Sequence, residues 1–372
     1  MIRAVLVLSF KSALARRLTL SVALFSIALS TALLLTVERV RHDARQGFTN
    51  SVSGVDLVVG PRAGPLELML QTVFHTGGAA QTMSWASYAR WAAAPEVAWA
   101  IPLMLGDSHR GFPVLGTTPD YFSHVRHGDR QSLRFAAGQP FAGVFEAVLG
   151  SQVARTLGYR VGDAMTVTHG MSELGPEHGD KPFRMVGVLA ATGTPMDRTV
   201  HVSLESIAAI HLDWVGGAPL PGLAIPADQV RKFDLQPKEI TAAWLGLKRR
   251  PDVFRVQRQI HSDHAEPLMA VMPGVALDQL WQTLEVMERT LFALSALVVV
   301  VGIAGMAATL GAMTWAFSGA GTDAAGKLSL SENAGWIALV AANLYVIFFN
   351  FIASITFLNI LKTMGNLWNL NI

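Results

Sequence analysis

The residues of this chain best suited to chemistry are its 11 histidines and the acids that stand near them. His169, Glu173, Glu177, His178 and Asp180 fall together in a stretch rich in turn residues, and two closer pairs occur at His124/His127 and His261/His264. Imidazole and carboxylate suit zinc or copper, and in a chain with no cysteine they are the only strong first-row metal ligands on offer. Histidines in solvated loops are nevertheless far commoner than ligands. The sequence therefore sets no metal site, and names His169, His178, His261 and His264 as the positions at which one would be sought.

Other chemistry fares worse. Serine, histidine and aspartate are all present, but there is no G-x-S-x-G elbow and no H-E-x-x-H pair, so a membrane-tethered hydrolase is a rival reading without a motif. The segment GTDAAGKL (321–328) nearly spells a phosphate-binding loop. Leu328 replaces the hydroxyl that would hold magnesium, and an apolar run rather than a strand precedes it. No catalytic residue and no cofactor is expected. The lack of cysteine also excludes disulfides and thiolate catalysis, and a net charge of +2 gives no basic field for nucleic acid.

The elements that would position these residues are set by hydropathy. Apolar residues make up 51% of the chain, charged residues only 15%, and the mean hydropathy is +0.37, values that make membrane burial the first expectation. Leu18–Val37 carries no charge over a length that spans roughly the 30 Å hydrocarbon core. Arg3, Lys11, Arg16 and Arg17 precede it without an acid among them, which keeps that end cytoplasmic. A cleaved signal peptide would have a shorter apolar run, of about 7–15 residues. Thr290–Thr322 is also uncharged, with Gly302 and Gly305 available for close helix packing, and Trp336–Leu361 is a third such run.

The expected layout is a cytoplasmic amphipathic N-terminus over 1–17 and a first membrane helix over 18–37. An extracytoplasmic domain with helical stalks follows over 38–289. A second helix over 290–312, a short loop over 313–334, a third helix over 335–361 and a tail over 362–372 complete it. Within the domain, Val55–Gly60, Phe183–Leu189 and Val200–Val202 read as strands. Ser84–Ala94, Glu146–Leu157, Ser203–Ile210 and Leu277–Met287 read as helices. The fold class is α+β, inserted between transmembrane helices.

Several stretches then carry a likeness. VLGSQVARTLGYRVGDAMTV (148–167) and FRMVGVLAATGTPMDRTVHVSLESI (183–207) resemble the periplasmic core domain of MacB-like (FtsX-like) ABC transporter permeases. GVDLVVGPRAGP (54–65), VLGTTPDYF (114–122) and the run from Pro273 to Leu310 fit the same pattern in order. The resemblance implies a non-enzymatic permease in the bacterial inner membrane that works with a separate cytoplasmic ATPase. It implies a homodimer or pairing with a second permease, contact with membrane lipid and with a periplasmic partner, and export or extraction of a lipid, lipoprotein or peptide. The residues it singles out are mechanical. They are the stalk positions Arg39, Arg41, Trp281, Glu285 and Arg289, the packing glycines Gly302 and Gly305, and a domain loop with Thr194, Pro195, Asp197 and Arg198.

The chain departs from that pattern at its end. All 22 arginines lie at or before Arg289, and seven of the eight asparagines lie at or after Asn333. Relatives carry an arginine- and glutamate-rich helix for the ATPase after the position of Leu310. A truncated permease, or an anchored sensor or scaffold that does not transport, is therefore the alternative.

Overall fold

The computed structural model describes residues 50–75, 81–170, 175–215, 218–220, 222 and 224–280. Isolated helical positions between 21 and 39 and between 282 and 300 are described as well. The chain divides into two compact units, residues 44–281 and residues 1–43 with 282–372. Among the described residues no helix is long and apolar enough to cross a membrane. The three segments expected to do so, 18–37, 290–312 and 335–361, lie outside the described residues apart from those isolated positions.

The unit 44–281 is built on an eleven-stranded mixed sheet. Its main strands are β1 (Leu57–Pro61), β2 (Val97–His109), β3 (Phe112–Thr117), β4 (Phe135–Gly138), β5 (Glu146–Leu149), β6 (Phe183–Leu189), β7 (Val200–Ser203), β8 (Ala242–Leu247) and β9 (Leu268–Val271). They lie in the order β9-β1-β8-β2-β3-β7-β5-β6-β4. Most neighbours are antiparallel, while β3–β7 and β5–β6 are parallel. β2 is the hinge of this arrangement. Val97–Leu103 pairs with β8, and Met104–His109 pairs with β3, so one 13-residue strand joins two halves of the sheet.

Each half has its own core. One gathers Leu57, Val59, Ala243, Leu245, Leu268 and Ala270 beneath the helix Val253–His261, which turns Val256 and Ile260 inward. Trp85 and Trp91 pack against it, part-buried, from the helix Trp85–Ala92. The other core joins Val114, Ala147, Leu149, Phe183, Met185, Val200 and Val202 to the helices Ser151–Leu157 and Leu204–Ile210. Burial of each such aliphatic side chain contributes about 1.5–3 kcal/mol against leaving it in water.

The expected strands at 55–60, 183–189 and 200–202 are present with boundary shifts of a residue or two, as are the helices near 84–94 and 203–210. The helix expected over 146–157 is corrected. Residues Glu146–Leu149 are β5, and the helix starts only at Ser151. Ala147, Val148 and Leu149 are fully buried between β6 and β7, and a short apolar run inside a sheet satisfies its backbone by pairing on both sides. Gly158 ends that helix in the left-handed region, as expected. Residues 273–280 are helical, so the segment expected to begin at Leu277 starts earlier.

Candidate functional site

Among the described residues, the second half of β2 carries the one group of histidines and acids close enough together to hold a metal ion. Between Leu105 and Asp107 the pairing with β3 shifts by one residue, a bulge that re-aims the strand at Asp107. On the other edge of β2 a two-residue strand, Thr168–His169, pairs antiparallel so that His169 stands opposite Asp107. The chain then returns through a bridge between Thr168 and Glu177, and the His178 N–H donates to the Val167 carbonyl at 2.8 Å. His211 arrives from the C-cap of the helix Leu204–Ile210.

The four side chains converge. His169 Nδ1 lies 3.2 Å from Asp107 Oδ1 and 3.0 Å from His211 Nε2, and His211 Nε2 lies 3.6 Å from Asp107 Oδ1. His178 is fully buried, its ring centred 4.9 Å from that of His211 and 4.0 Å from that of Trp214. Among the described residues neither of its ring nitrogens has a hydrogen-bond partner. One ligand atom from each of the four residues lies within 4.8 Å of the others. His211 Nδ1 sits 2.8 Å from the Ile207 carbonyl, a contact that requires the proton on Nδ1 and leaves Nε2 with a free lone pair toward the cluster.

The electrostatics distinguish the rings. Burial, and then the neighbouring His211, lowers the His178 pKa to about 4, so it is neutral at physiological pH. Hydrogen bonding to Asp107, with that carboxylate's charge, raises the His169 pKa. Beside the cluster, Lys181 is fully buried with Nζ 2.8 and 2.9 Å from the two Asp213 oxygens and 2.9 Å from Asp180. Burial pushes the Asp213 carboxyl upward, but the Ile225 N–H and Lys181 outweigh it and hold the pKa low. That pair ties the segment after His178 to the one carrying Trp214.

Of the metal positions named from sequence, the fold brings His169 and His178 together and leaves His261 and His264 elsewhere. His261 contacts the Ala270 carbonyl at 3.0 Å. Glu177 binds the Thr166 hydroxyl, Asp180 binds Lys181, and Glu173 lies outside the described residues. Asp107 and His211 were not anticipated. His211 is 42 positions from His169, and only the sheet register and a helix end join them. The available signal was a lone acid inside the apolar strand VAWAIPLMLGDSH.

The domain loop is a closed structural turn. Asp197 accepts hydrogen bonds from the backbone N–H of Thr192 and Gly193 at 2.8–3.0 Å and from the Thr192 hydroxyl at 3.0 Å. Thr194 and Asp197 are buried, while Pro195 is part-exposed and Arg198 lies with its guanidinium 5.7 Å from the Phe112 ring centre. Among the stalk positions Arg39 and Arg289 are helical and exposed, whereas Arg41, Trp281 and Glu285, with Gly302 and Gly305, lie outside the described residues.

The described unit is a mixed α+β domain whose two ends lead, in the sequence, toward long uncharged segments. The family model of the MacB-like periplasmic core domain matches residues 18–227, more than half of the sequence, and the chain belongs to that family of ABC transporter permeases. Among solved structures it is similar to the periplasmic region of MacB from Actinobacillus actinomycetemcomitans, at 12% identity and a TM-score of 0.36 over 64% of this chain and 98% of that one. It is also similar to the extracellular domain of the noncanonic ABC-type transporter YknZ from Gram-positive bacteria, at 10% identity and a TM-score of 0.32 over 58% and 98%. No curated protein matches the chain.

Proposed function

We propose that this chain is a transmembrane permease subunit of an ABC transporter of the MacB/FtsX type, which passes ATPase-driven motion to an extracytoplasmic domain. The observation that carries the reading is the family match. It begins at residue 18, where the first uncharged segment begins, and runs through residue 227 across most of the sheet. In this reading helices over 18–37, 290–312 and 335–361 hold the chain in the bacterial inner membrane, with residues 38–289 outside. Stalks through Arg39 and Arg41 on one side and Trp281, Glu285 and Arg289 on the other link the two. Gly302 and Gly305 let helices approach closely, and the exposed parts of Pro195 and Arg198 face a partner. The working unit is a homodimer or a pair with a second permease, a separate cytoplasmic ATPase supplies the energy, and the cargo is a lipid, a lipoprotein or a peptide.

The composition change after Arg289 favours a second reading, an anchored sensor or truncated permease that does not engage an ATPase. Purification of the full chain from its native membrane distinguishes the two. The permease reading expects an ATPase subunit to co-purify in fixed ratio and its ATP hydrolysis to change when the permease is reconstituted with it. Recovery of the chain alone, under conditions that preserve other transporter complexes, favours the anchored sensor.

A further inference from the structure

We infer that Asp107, His169, His178 and His211 form a binding site for a single tetrahedral zinc ion. Three imidazoles and one carboxylate are a donor set typical of zinc, with metal–nitrogen and metal–oxygen distances of about 2.0–2.2 Å. Such a tetrahedron places neighbouring ligand atoms roughly 3.3–3.5 Å apart. The three separations already in place, 3.0, 3.2 and 3.6 Å, bracket that edge without any movement of the backbone. His178 supplies the fourth corner. It is enclosed and, among the described residues, without a hydrogen-bond partner on either nitrogen, and a buried imidazole left so forfeits hydrogen-bonding energy that a metal bond would restore.

The surroundings support the ligands. The Ile207 carbonyl fixes the His211 tautomer that offers Nε2, the outer-sphere contact that orients metal-bound histidines. The bulge in β2 aims Asp107, and the Lys181–Asp213 pair anchors the segment that carries His178. All four corners are filled by protein, which leaves no position for a reacting water and makes the site structural or sensory. Its ligands come from the long strand β2, from the excursion between β5 and β6, and from the helix that follows β7. Zinc would therefore fasten the excursion to the sheet and lose it on chelation. This inference does not depend on the permease reading.

The test uses the full chain purified in detergent, free of any histidine tag and stripped of metal with a chelator. Calorimetric titration should show one Zn²⁺ per chain, bound more tightly than about 1 μM. Co²⁺ at the same site should give the intense visible absorption of tetrahedral coordination, a readout on the unaltered sequence. His178→Gln and His211→Gln should each weaken Zn²⁺ at least tenfold, whereas His261→Gln and His264→Gln should leave it unchanged. Chelation should lower the melting temperature of the unaltered chain and added zinc should restore it. Absence of the cobalt bands, or zinc binding that survives both cluster substitutions, overturns the proposal.

Discussion

A second pair of histidines, His75 and His201, lies apart from Asp107, His169, His178 and His211. Both are buried, His75 with Nδ1 2.9 Å from the Thr199 hydroxyl and His201 packed against Tyr121 and Phe122. Burial lowers their pKa values to about 4 and about 3. They are neutral in the folded chain yet take up a proton near pH 6.5 once unfolded. Below about pH 6.5 the unfolded state thus binds more protons, and stability falls with pH until the folded values are reached. From pH 7 to pH 5 the two together should cost up to about 3–4 kcal/mol. The carboxylates, which titrate lower, contribute little in that window. Urea unfolding followed by tryptophan fluorescence should show the midpoint dropping over this range, and His201→Gln should lessen the slope; a midpoint flat between pH 7 and 5 contradicts the assignment. Lys181 is the other residue whose removal should be felt. Lys181→Met leaves the Asp213 carboxylate enclosed without its cation, a loss of about 3–5 kcal/mol. Asp213→Asn in the same chain should recover much of it in a double-mutant cycle, and simple additivity would show that the two groups do not act as a pair.

Between elements, one tight junction lies where the helix Ser151–Leu157 meets the turn Pro195–Arg198. Gly150, the N-cap of that helix, donates to the Thr199 carbonyl at 2.9 Å, and a Cβ on it would stand 2.2 Å from the Met196 carbonyl oxygen and 2.5 Å from that of Asp197. Both obstacles are backbone. Gly150→Ala should therefore cost about 1–3 kcal/mol, read as a lower urea midpoint with an unchanged slope, while Gly158→Asn at the far end of the helix, where nothing stands within 4 Å, should be mild. This junction also shows what sequence can and cannot tell. The stretch ATGTPMDR (191–198), between two expected strands, is legible as a turn because Gly193 admits a positive φ and Pro195 fixes its own φ. Glu146–Leu149 was misread because periodicity does not tell a short apolar run leading straight into a helix from a helical turn, and only its pairing between β6 and β7 makes it a strand. The zinc cluster was half legible for the same reason. His169 and His178 are close along the chain, but Asp107 and His211 join them through a strand register and a helix end that no local pattern encodes.

At the scale of the whole molecule the distribution of charge makes the strongest claim. After Arg289 the sequence holds only Asp323, Lys327, Glu332 and Lys362 as charged residues, whereas the unit 44–281 carries most of the acids and bases together with both cores. A chain so divided is expected to keep its uncharged segments in lipid and its sheet in water, and the basic N-terminal end sets which face of the membrane the sheet occupies. The absence of cysteine gives a direct way to check this, since any introduced thiol is the only one present. Ser132 is exposed in the short strand Gln131–Ser132, so Ser132→Cys should leave the fold intact. A membrane-impermeant maleimide should label that thiol as fully in intact spheroplasts as after lysis, and Asp323→Cys, in the expected inner loop, only after lysis. Protection of Ser132→Cys until the membrane is broken would put the sheet in the cytoplasm, and no coupling between an inner ATPase and an outer domain could then operate through this chain.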